Sequence, residues 1–340
     1  MMSEDNNKKW WNPALFEAKI PCLHRRAKMI QDIRSFFENR DYLEVETTAL
    51  QTSPGMEVHS KGFETELYGP DRGVPQTKYL HSSPELAMKK LLVAGLPKIF
   101  QICQVFRNAE GSKLHRPSFT MLEWYQVGLS YEGLMQETIE LIRDISDGPI
   151  HWRGITADPD QDWQMISVAD SFQHYADIDL CAVLEDREGL AKEAERLDCD
   201  VHDGDRWEDI FFKVFGEKIE PYLGAPVPTI LYDYPLSMAA LSRRKADDAR
   251  FAERFEVYIC GMELANAFGE LTDAEEQRAR FERSMEQKRK IYGEDYPVDD
   301  DFIEALAFGM PETSGIALGI DRMAMLLSGV DDIRFVQAVG

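Results

Sequence analysis

The sequence predicts an α+β fold, in which helices flank a mixed, mainly antiparallel sheet. Strand-like segments occur without the regular strand–helix alternation that produces a parallel sheet. Two of them, 99–106 and 119–127, are joined by one polar loop, and a second pair, 255–259 and 263–268, flanks Cys260-Gly261. The length of 340 residues and the 44% share of apolar residues are sufficient for a large buried core.

The remaining elements follow from local patterns taken in chain order. We expect a flexible tail over residues 1–11 and one catalytic domain over 12–340. Apolar residues at helical spacing predict a helix over 24–39, and a strand is expected over 42–46. Segment 52–76 is rich in glycine, proline and threonine and is interpreted as irregular.

A serine followed by a proline at 83–84 predicts a helix that runs to Gly95. Segment 130–250 is interpreted as mostly helical and acidic, with few site-like features. A charged amphipathic helix is predicted over 273–292, with Asp299 to Asp301 forming a loop and helix cap. A short strand over 315–320 then leads into the last helix.

Composition excludes several classes of protein. The formal charge of −23 disfavours a protein that coats polyanions. No apolar run approaches the roughly 18 residues of a membrane span, and the N-terminus lacks the apolar core of a secretory signal, so a cytoplasmic location without membrane association is expected. The five cysteines are widely spaced, which argues against a disulfide framework or a zinc site and for thiols in a reducing compartment.

The first candidate site lies on the strand–loop–strand segment around 99–127. Arg107 follows the first strand, and its planar fork suits a carboxylate and a phosphate at once. Phe119 could stack on a base, and it shares a strand face with Glu123 and Tyr125. Four basic residues against one acid between positions 97 and 120 make a basic island. The alternative is a solvated hairpin whose charges only aid solubility.

The second candidate site is a pair of carboxylates on the predicted hairpin, Glu256 and Glu263, followed by Asn266 and Glu270. Facing carboxylates repel unless a cation lies between them, and Mg²⁺ bound to nucleotide phosphates accepts such ligands. The alternative is two exposed carboxylates on a strand edge.

The third candidate is the glycine-bearing segment from Gly315 to Arg322. Its small residues allow a ligand to approach the backbone. Arg322 opens a helix, where a cation gains nothing from the helix dipole, so a role other than helix stability is indicated. The alternative is a surface arginine beside a tight turn. The sequence lacks both GxGxxG and GxxxxGKS, so ATP, if bound, is not held by a P-loop.

Taken together, the segments resemble the signature motifs of class II aminoacyl-tRNA synthetases of the lysyl type, from about residue 25 to the C-terminus. The matching segments are YLEVET, SPE, FRN with the following H, F and EWY, FEVYICGMELANAFGEL and GIALGIDR. TMLEWY, ELAN-F-EL and Ala317 are closest to the stand-alone ligase paralogues of lysyl-tRNA synthetase. The first motif begins within the first 50 residues, so no anticodon-binding domain is expected.

The resemblance implies a class II synthetase fold and a two-step ligase reaction. ATP with Mg²⁺ would activate (R)-β-lysine as an acyl-adenylate, and a lysine side chain of elongation factor P would accept it. A homodimer is implied, as is the absence of stable tRNA binding. Alternatives are activation of α-lysine, a tRNA or another carrier as acceptor, or a catalytically inactive regulatory subunit.

The resemblance also implies the roles of individual residues. Arg107 would bridge the carboxylate and the α-phosphate, His115 and Arg322 would hold the outer phosphates, and Arg107, Arg322 and Glu263 form the catalytic set. Glu256 and Glu263 would hold Mg²⁺. The nucleotide site would comprise Arg107, Asn108, Ala109, His115, Arg116, Phe119, Glu263, Leu264, Gly319 and Arg322. The amino-acid site would comprise Ser83, Pro84, Glu85, Glu123, Tyr125, Asn266, Glu270 and Ala317.

The sequence departs from the family pattern at three places. Thr48 stands where motif 1 normally ends in proline, which bears on the expected dimer contact. Ala109 replaces the acid that normally helps to read adenine. Arg116-Pro117-Ser118 replaces the usual Asn-Pro-Glu after the histidine, and Arg116 adds either a phosphate contact or surface charge.

Overall fold

The structure, a computed structural model, describes residues 9–339 and confirms the predicted α+β architecture. The tail expected over 1–11 falls mainly on residues outside this range. The helices are α1 Pro13–Phe16, α2 Ile20–Glu38, α3 Glu85–Val93, α4 Tyr131–Ile145, α5 Val168–Ala176, α6 Arg187–Arg196, α7 Trp207–Val214, α8 Ala274–Tyr292, α9 Asp300–Gly309 and α10 Ile320–Ser328. The strands are β1 Leu43–Glu44, β2 Leu50–Gln51, β3 Phe63–Leu67, β4 Gln76–Leu80, β5 Lys98–Phe106, β6 Ser118–Val127, β7 Ile150–Trp152, β8 Ile155–Ala157, β9 Gln164–Ser167, β10 Thr229–Pro235, β11 Phe251–Ile259, β12 Met262–Gly269 and β13 Thr313–Gly319.

Eight strands form the main sheet, in the order β1-β5-β6-β13-β12-β11-β10-β9. Its two outer pairs, β1 with β5 and β9 with β10, are parallel, and the pairs between them are antiparallel. The predicted strand–loop–strand pairs β5–β6 and β11–β12 are confirmed. Both central pairs flank β13, so the three candidate sites of the sequence lie on neighbouring strands.

The main core lies where α2, α4 and α10 cover one face of the sheet. Helix α2 supplies Ile33 and Phe37, both fully buried. The ring of Phe37 stacks on Phe100 of β5 with centroids 4.8 Å apart, and it also contacts Trp124 of β6. The helical spacing of apolar residues in the sequence therefore places the apolar stripe of α2 against β5, which Arg107 follows, and β6, which carries Glu123.

Segment 130–250 differs from the prediction. Helices α5, α6 and α7 form a second cluster of buried side chains, in which Phe172 stacks on Phe211 at 4.7 Å. The segment also contains β7 to β10, and β10 lies inside the main sheet. Strand β10 reads as an apolar run without alternation because most of it is buried, and such a run does not distinguish a strand from a helix.

Segment 52–76 also differs, since β3 pairs with β4 in a small three-stranded sheet with β2. Most side chains of β3 are exposed, so no buried face marks it in the sequence. The strand expected over 42–46 shortens to Leu43–Glu44. The loop-and-cap interpretation of Asp299 is confirmed, because its Oδ1 accepts a hydrogen bond from the Phe302 amide at the start of α9.

All five cysteines lie within the described range, and all are free thiols. None of the helices within residues 9–339 combines the length and the apolar character that crossing a membrane requires.

Candidate functional site

A cavity of about 670 Å³ lies along the face of the main sheet formed by β6, β13, β12 and β11. It brings together residues from all three candidate sites of the sequence. The predicted residues that line it are Ser83, Glu85, Arg107, His115, Arg116, Phe119, Glu256, Glu263, Leu264, Asn266, Ala317, Gly319 and Arg322.

Arg107 follows the end of β5, where its amide donates to the Pro117 carbonyl at 2.9 Å and closes the base of the loop. Its guanidinium lies over the Phe119 ring, 5.3 Å from the centroid. Its Nε is buried and has no hydrogen-bond partner among the described residues. A buried donor without a partner costs free energy that an anionic ligand would recover, so this position suits a phosphate or a carboxylate.

Arg322 is fixed in the first turn of α10. It donates one hydrogen bond to the Glu263 carbonyl at 2.8 Å and another to Nε2 of His115. Nδ1 of His115 lies 3.0 Å from the Ser112 hydroxyl, which anchors the ring to its own loop. Burial, together with the charges of Arg322 and Arg107, lowers the pKa of His115, which favours the neutral ring that accepts from Arg322.

Glu256 and Glu263 both line the cavity, but they are not directly opposed. Glu256 pairs with Asn266 in the ladder, whereas a bulge places Glu263 opposite Tyr258. Glu256 accepts from Tyr234 at 2.5 Å, Tyr258 at 2.6 Å and Arg254 at 2.7 Å. Three donors therefore fix the orientation of the Glu256 carboxylate.

The Glu263 carboxylate is 41% exposed to the cavity and lies 3.7 Å from the Arg322 guanidinium. Burial and the charge of Glu256 raise its pKa, as expected for two acids without a cation between them. No cluster of three or more potential protein ligands for a metal occurs within residues 9–339. The donor set fits Mg²⁺ completed by phosphate oxygens and water, which needs only one or two carboxylates from the protein.

Glu123 lies beneath the cavity floor and is completely buried. Its two carboxyl oxygens accept hydrogen bonds from Ser83 at 2.6 Å and from Tyr125 at 2.8 Å. Burial and the nearby charge of Glu85 raise the pKa of Glu123 to about 8. A buried acid of this kind is a ready partner for a ligand ammonium group, which would stabilise its ionised form.

Glu270 lies in the same layer and is also completely buried. Its carboxylate is 2.5 Å from the Lys89 ammonium, and Lys89 is also 2.5 Å from Glu85. Burial opposes the charge of Lys89, but Glu270 and Glu85 outweigh it and raise the pKa of Lys89 above its ordinary value. Burial raises the pKa of Glu270, and the charge of Lys89 opposes this shift.

The other three predicted residues are not part of the lining. Pro84 precedes the first turn of α3. The Asn108 amide donates to the Lys61 carbonyl at 2.7 Å, which ties the loop after β5 to the loop before β3. Ala109 is exposed and has φ of 62°, so its side chain takes no part in the lining.

Several lining residues were missed in the sequence. Arg206, Glu208 and Phe212 come from α7 and the residue before it, in the segment interpreted as having few site-like features. His59 comes from the loop before β3, and Gln287 from α8. These three segments of the chain are far apart in the sequence and carry no shared motif, so only the fold brings them together.

Comparison with known proteins agrees with this geometry. Residues 17–339 match the family model for class II tRNA synthetases (D, K and N). The chain is 39% identical over 330 residues to the elongation factor P–(R)-β-lysine ligase of Proteus mirabilis (strain HI4320), covering 96% of each protein. The chain belongs to the family of class II tRNA synthetases (D, K and N).

Proposed function

We propose that the protein is a ligase that uses ATP to activate (R)-β-lysine and transfers it to a lysine side chain of elongation factor P. The observation that carries this proposal is a single cavity with two chemically distinct parts. Arg107, His115 and Arg322 supply donors for phosphates, and a buried layer of carboxylates lies beneath Ser83 and Glu85. The named relative from Proteus mirabilis supports the same substrates.

In the first step, a carboxylate oxygen of the amino acid attacks the α-phosphorus of ATP, and pyrophosphate leaves. Arg107 is placed to contact both reacting anions, because its unpartnered Nε and planar fork can donate in two directions. Charge that develops on the α-phosphate is then stabilised by a donor already in position. Phe119, under the Arg107 guanidinium, offers a face for the adenine ring.

Arg322 and His115 act on the leaving pyrophosphate. Arg322 is held by the Glu263 carbonyl and by His115, so its side chain needs little reordering to meet the outer phosphates. Glu256 and Glu263 would hold Mg²⁺, which neutralises phosphate charge when bound. The hydrogen bonds from Tyr234, Tyr258 and Arg254 keep Glu256 oriented for that role.

In the second step, the neutral amine of the acceptor lysine attacks the adenylate carbonyl. An amide bond forms, the carbon–oxygen bond to AMP breaks, and the nitrogen loses a proton. The carboxylates of Glu85, Glu123 and Glu270, of which the last two are completely buried, would hold the ammonium groups of the β-lysyl moiety throughout. We expect the enzyme to act as a homodimer in the cytoplasm, without stable tRNA binding, through one catalytic domain over residues 12–340.

Amino-acid-dependent exchange of pyrophosphate into ATP tests the first step. A panel of (R)-β-lysine, (S)-β-lysine, α-lysine and amino acids with one ammonium group should give the fastest exchange with (R)-β-lysine. Faster exchange with α-lysine would replace the proposed donor. No exchange with any amino acid, from folded protein that binds ATP, would favour a regulatory subunit.

A further inference from the structure

Lys89 forms a buried ion cluster that the proposed reaction does not itself require. The residue lies on α3, one turn after Glu85, and its side chain is completely buried. Its ammonium lies 2.5 Å from Glu85 Oε1 and 2.5 Å from Glu270 Oε2. The cluster therefore links the start of α3 to Glu270, which follows the end of β12.

Each of the two carboxylates has one oxygen in contact with Lys89 and a second oxygen outside that contact. Glu85 lines the cavity, and only its Oε1 contacts Lys89. Glu270 Oε1 is buried and makes no hydrogen bond within the described part of the chain. A buried carboxylate oxygen without a partner would be stabilised by a ligand that donates a hydrogen bond to it.

Lys89 also limits the charge of this layer. Glu85, Glu123 and Glu270 supply three acidic groups against the one ammonium of Lys89, so a ligand that brings two more ammonium groups would match the number of carboxyl groups. An amino acid with two ammonium groups is such a ligand. Lys89 lies between the carboxylates of Glu85 and Glu270, where its positive charge offsets the repulsion between them.

We propose that Lys89 is a positioning residue for the amino-acid substrate, which holds the carboxylates of Glu85 and Glu270 through its two contacts and so fixes their other oxygens as acceptors for the substrate's ammonium groups. This inference rests on the proposed function. Lys89 acts through the two carboxylates and does not itself contact the substrate.

Lys90, the next residue, provides a matched control. It also contacts two carboxylates, Asp299 at 3.0 Å and Asp301 at 2.7 Å, but it is 25% exposed and is absent from the cavity lining. Lys89→Met and Lys90→Met therefore each remove one ammonium with two acidic partners from the same helix. A role limited to holding α3 in place would give the two variants similar kinetics.

The test is steady-state pyrophosphate exchange with (R)-β-lysine and ATP as the varied substrates. Lys89→Met should raise KM for β-lysine by about tenfold or more, since the contacts that hold the two carboxylates are lost. The KM for ATP and the kcat should stay within about threefold of wild type. Lys89→Arg, which keeps the charge on a wider head group, should give an intermediate KM, and Lys90→Met should match wild type.

The proposal is overturned if Lys89→Met keeps the wild-type KM for β-lysine, or if it raises the KM for ATP by the same factor. If Lys89→Met does not fold, as judged by loss of ATP binding, Lys89→Arg decides. A raised KM for β-lysine with an unchanged KM for ATP supports the proposal, and wild-type values overturn it. Absence of exchange in the wild-type enzyme with β-lysine instead rejects the proposed function, and the comparison is then made with the amino acid found by the panel.

Discussion

Single residues determine the electrostatics of the cavity through burial. Arg107 keeps an unpartnered donor, and Glu123 keeps a carboxyl group whose pKa is raised to about 8. Both conditions are unfavourable in the free protein and are relieved when a ligand of opposite charge arrives. Binding of such a ligand would therefore gain free energy at these two groups.

Glu123 should couple amino-acid binding to proton release. Below pH 8 its carboxyl is mainly protonated in the free enzyme, whereas a bound ammonium favours the carboxylate, so affinity should rise with pH from 6 towards about 8. Calorimetry at pH 7 in two buffers of different ionisation enthalpy should show proton release for wild type and little for Glu123→Gln. Equal proton release from both proteins would contradict the assignment.

Arg107→Ala should slow adenylate formation about 10²- to 10³-fold, because a positioned donor to the reacting anions is lost. Single-turnover formation of the adenylate measures the step directly. Arg153→Ala is the control, since Arg153 also lies over an aromatic ring, 4.3 Å from the centroid of Trp152, but outside the cavity. Equal rates for Arg107→Ala and wild type would remove Arg107 from the mechanism.

For single residues, the sequence singled out members of motifs, such as Arg107, Glu256 and Arg322, which line one cavity. It did not identify Lys89, although Glu85 and Lys89 are spaced as an i, i+4 pair. Such a pair is usually solvated, and its burial depends on Glu270, which lies far away in the chain. Burial is a tertiary property and leaves no local pattern.

At the scale of elements, β13 connects the two carboxylate-bearing parts of the cavity. It pairs with β6 on one side and β12 on the other, so Ala317 is the ladder partner of both Glu123 and Asn266. Gly315 allows the side chains of Tyr125 and Glu270 to pack directly against the backbone of β13. A Cβ at this position would lie 2.1 Å from the Tyr125 ring and 2.6 Å from Glu270 Oε1.

Gly315→Ala should therefore reduce the free energy of unfolding by about 1–3 kcal/mol and raise the KM for the amino acid more than that for ATP. Thermal unfolding and exchange kinetics measure the two effects. Gly204→Ala is the control, because a Cβ there would meet no atom within 4 Å. If the two variants behave alike, the packing of Tyr125 and Glu270 on Gly315 does not support the pocket.

Elements marked by a local pattern in the sequence were predictable, and elements without such a pattern were not. Strands β5, β6, β11 and β12 agree with their predicted positions to within a few residues. Strand β3 is mostly exposed and β10 is mostly buried, so neither shows the alternation that marks a half-buried strand. The contribution of Arg206 and Phe212 to the cavity was missed for another reason. It depends on how the second helical cluster packs against the sheet, which no local pattern in the sequence records.

For the molecule as a whole, the net charge of −23 gives little information about the cavity, whose lining includes the basic residues Arg107, Arg116 and Arg322. The surface is more informative. The first 50 residues carry a set of large apolar side chains that are 39–52% exposed. They are Trp10, Trp11, Leu15, Ile20, Leu43 and Leu50. Such side chains favour burial against a partner, which supports the proposed homodimer.

Sedimentation should give the mass of two 39.0 kDa chains for the wild-type protein. Leu43→Glu should shift the equilibrium towards the monomer, because Leu43 lies on the outermost strand of the main sheet and is 52% exposed. Phe308→Glu is the control at an exposed apolar residue of α9. A wild-type monomer, or no difference between the variants, would exclude this surface as the dimer contact.

The proposed transfer of β-lysine to elongation factor P is measured by the intact mass of that factor after incubation with the enzyme, ATP and (R)-β-lysine. We expect a gain of one β-lysyl group on a lysine side chain, and we expect no gain when ATP is omitted or when Arg107→Ala replaces the wild type. The Proteus mirabilis ligase, used with the same reagents, shows that they are competent. An unchanged mass with the present enzyme, alongside modification by that relative, would overturn the proposed transfer of β-lysine to elongation factor P.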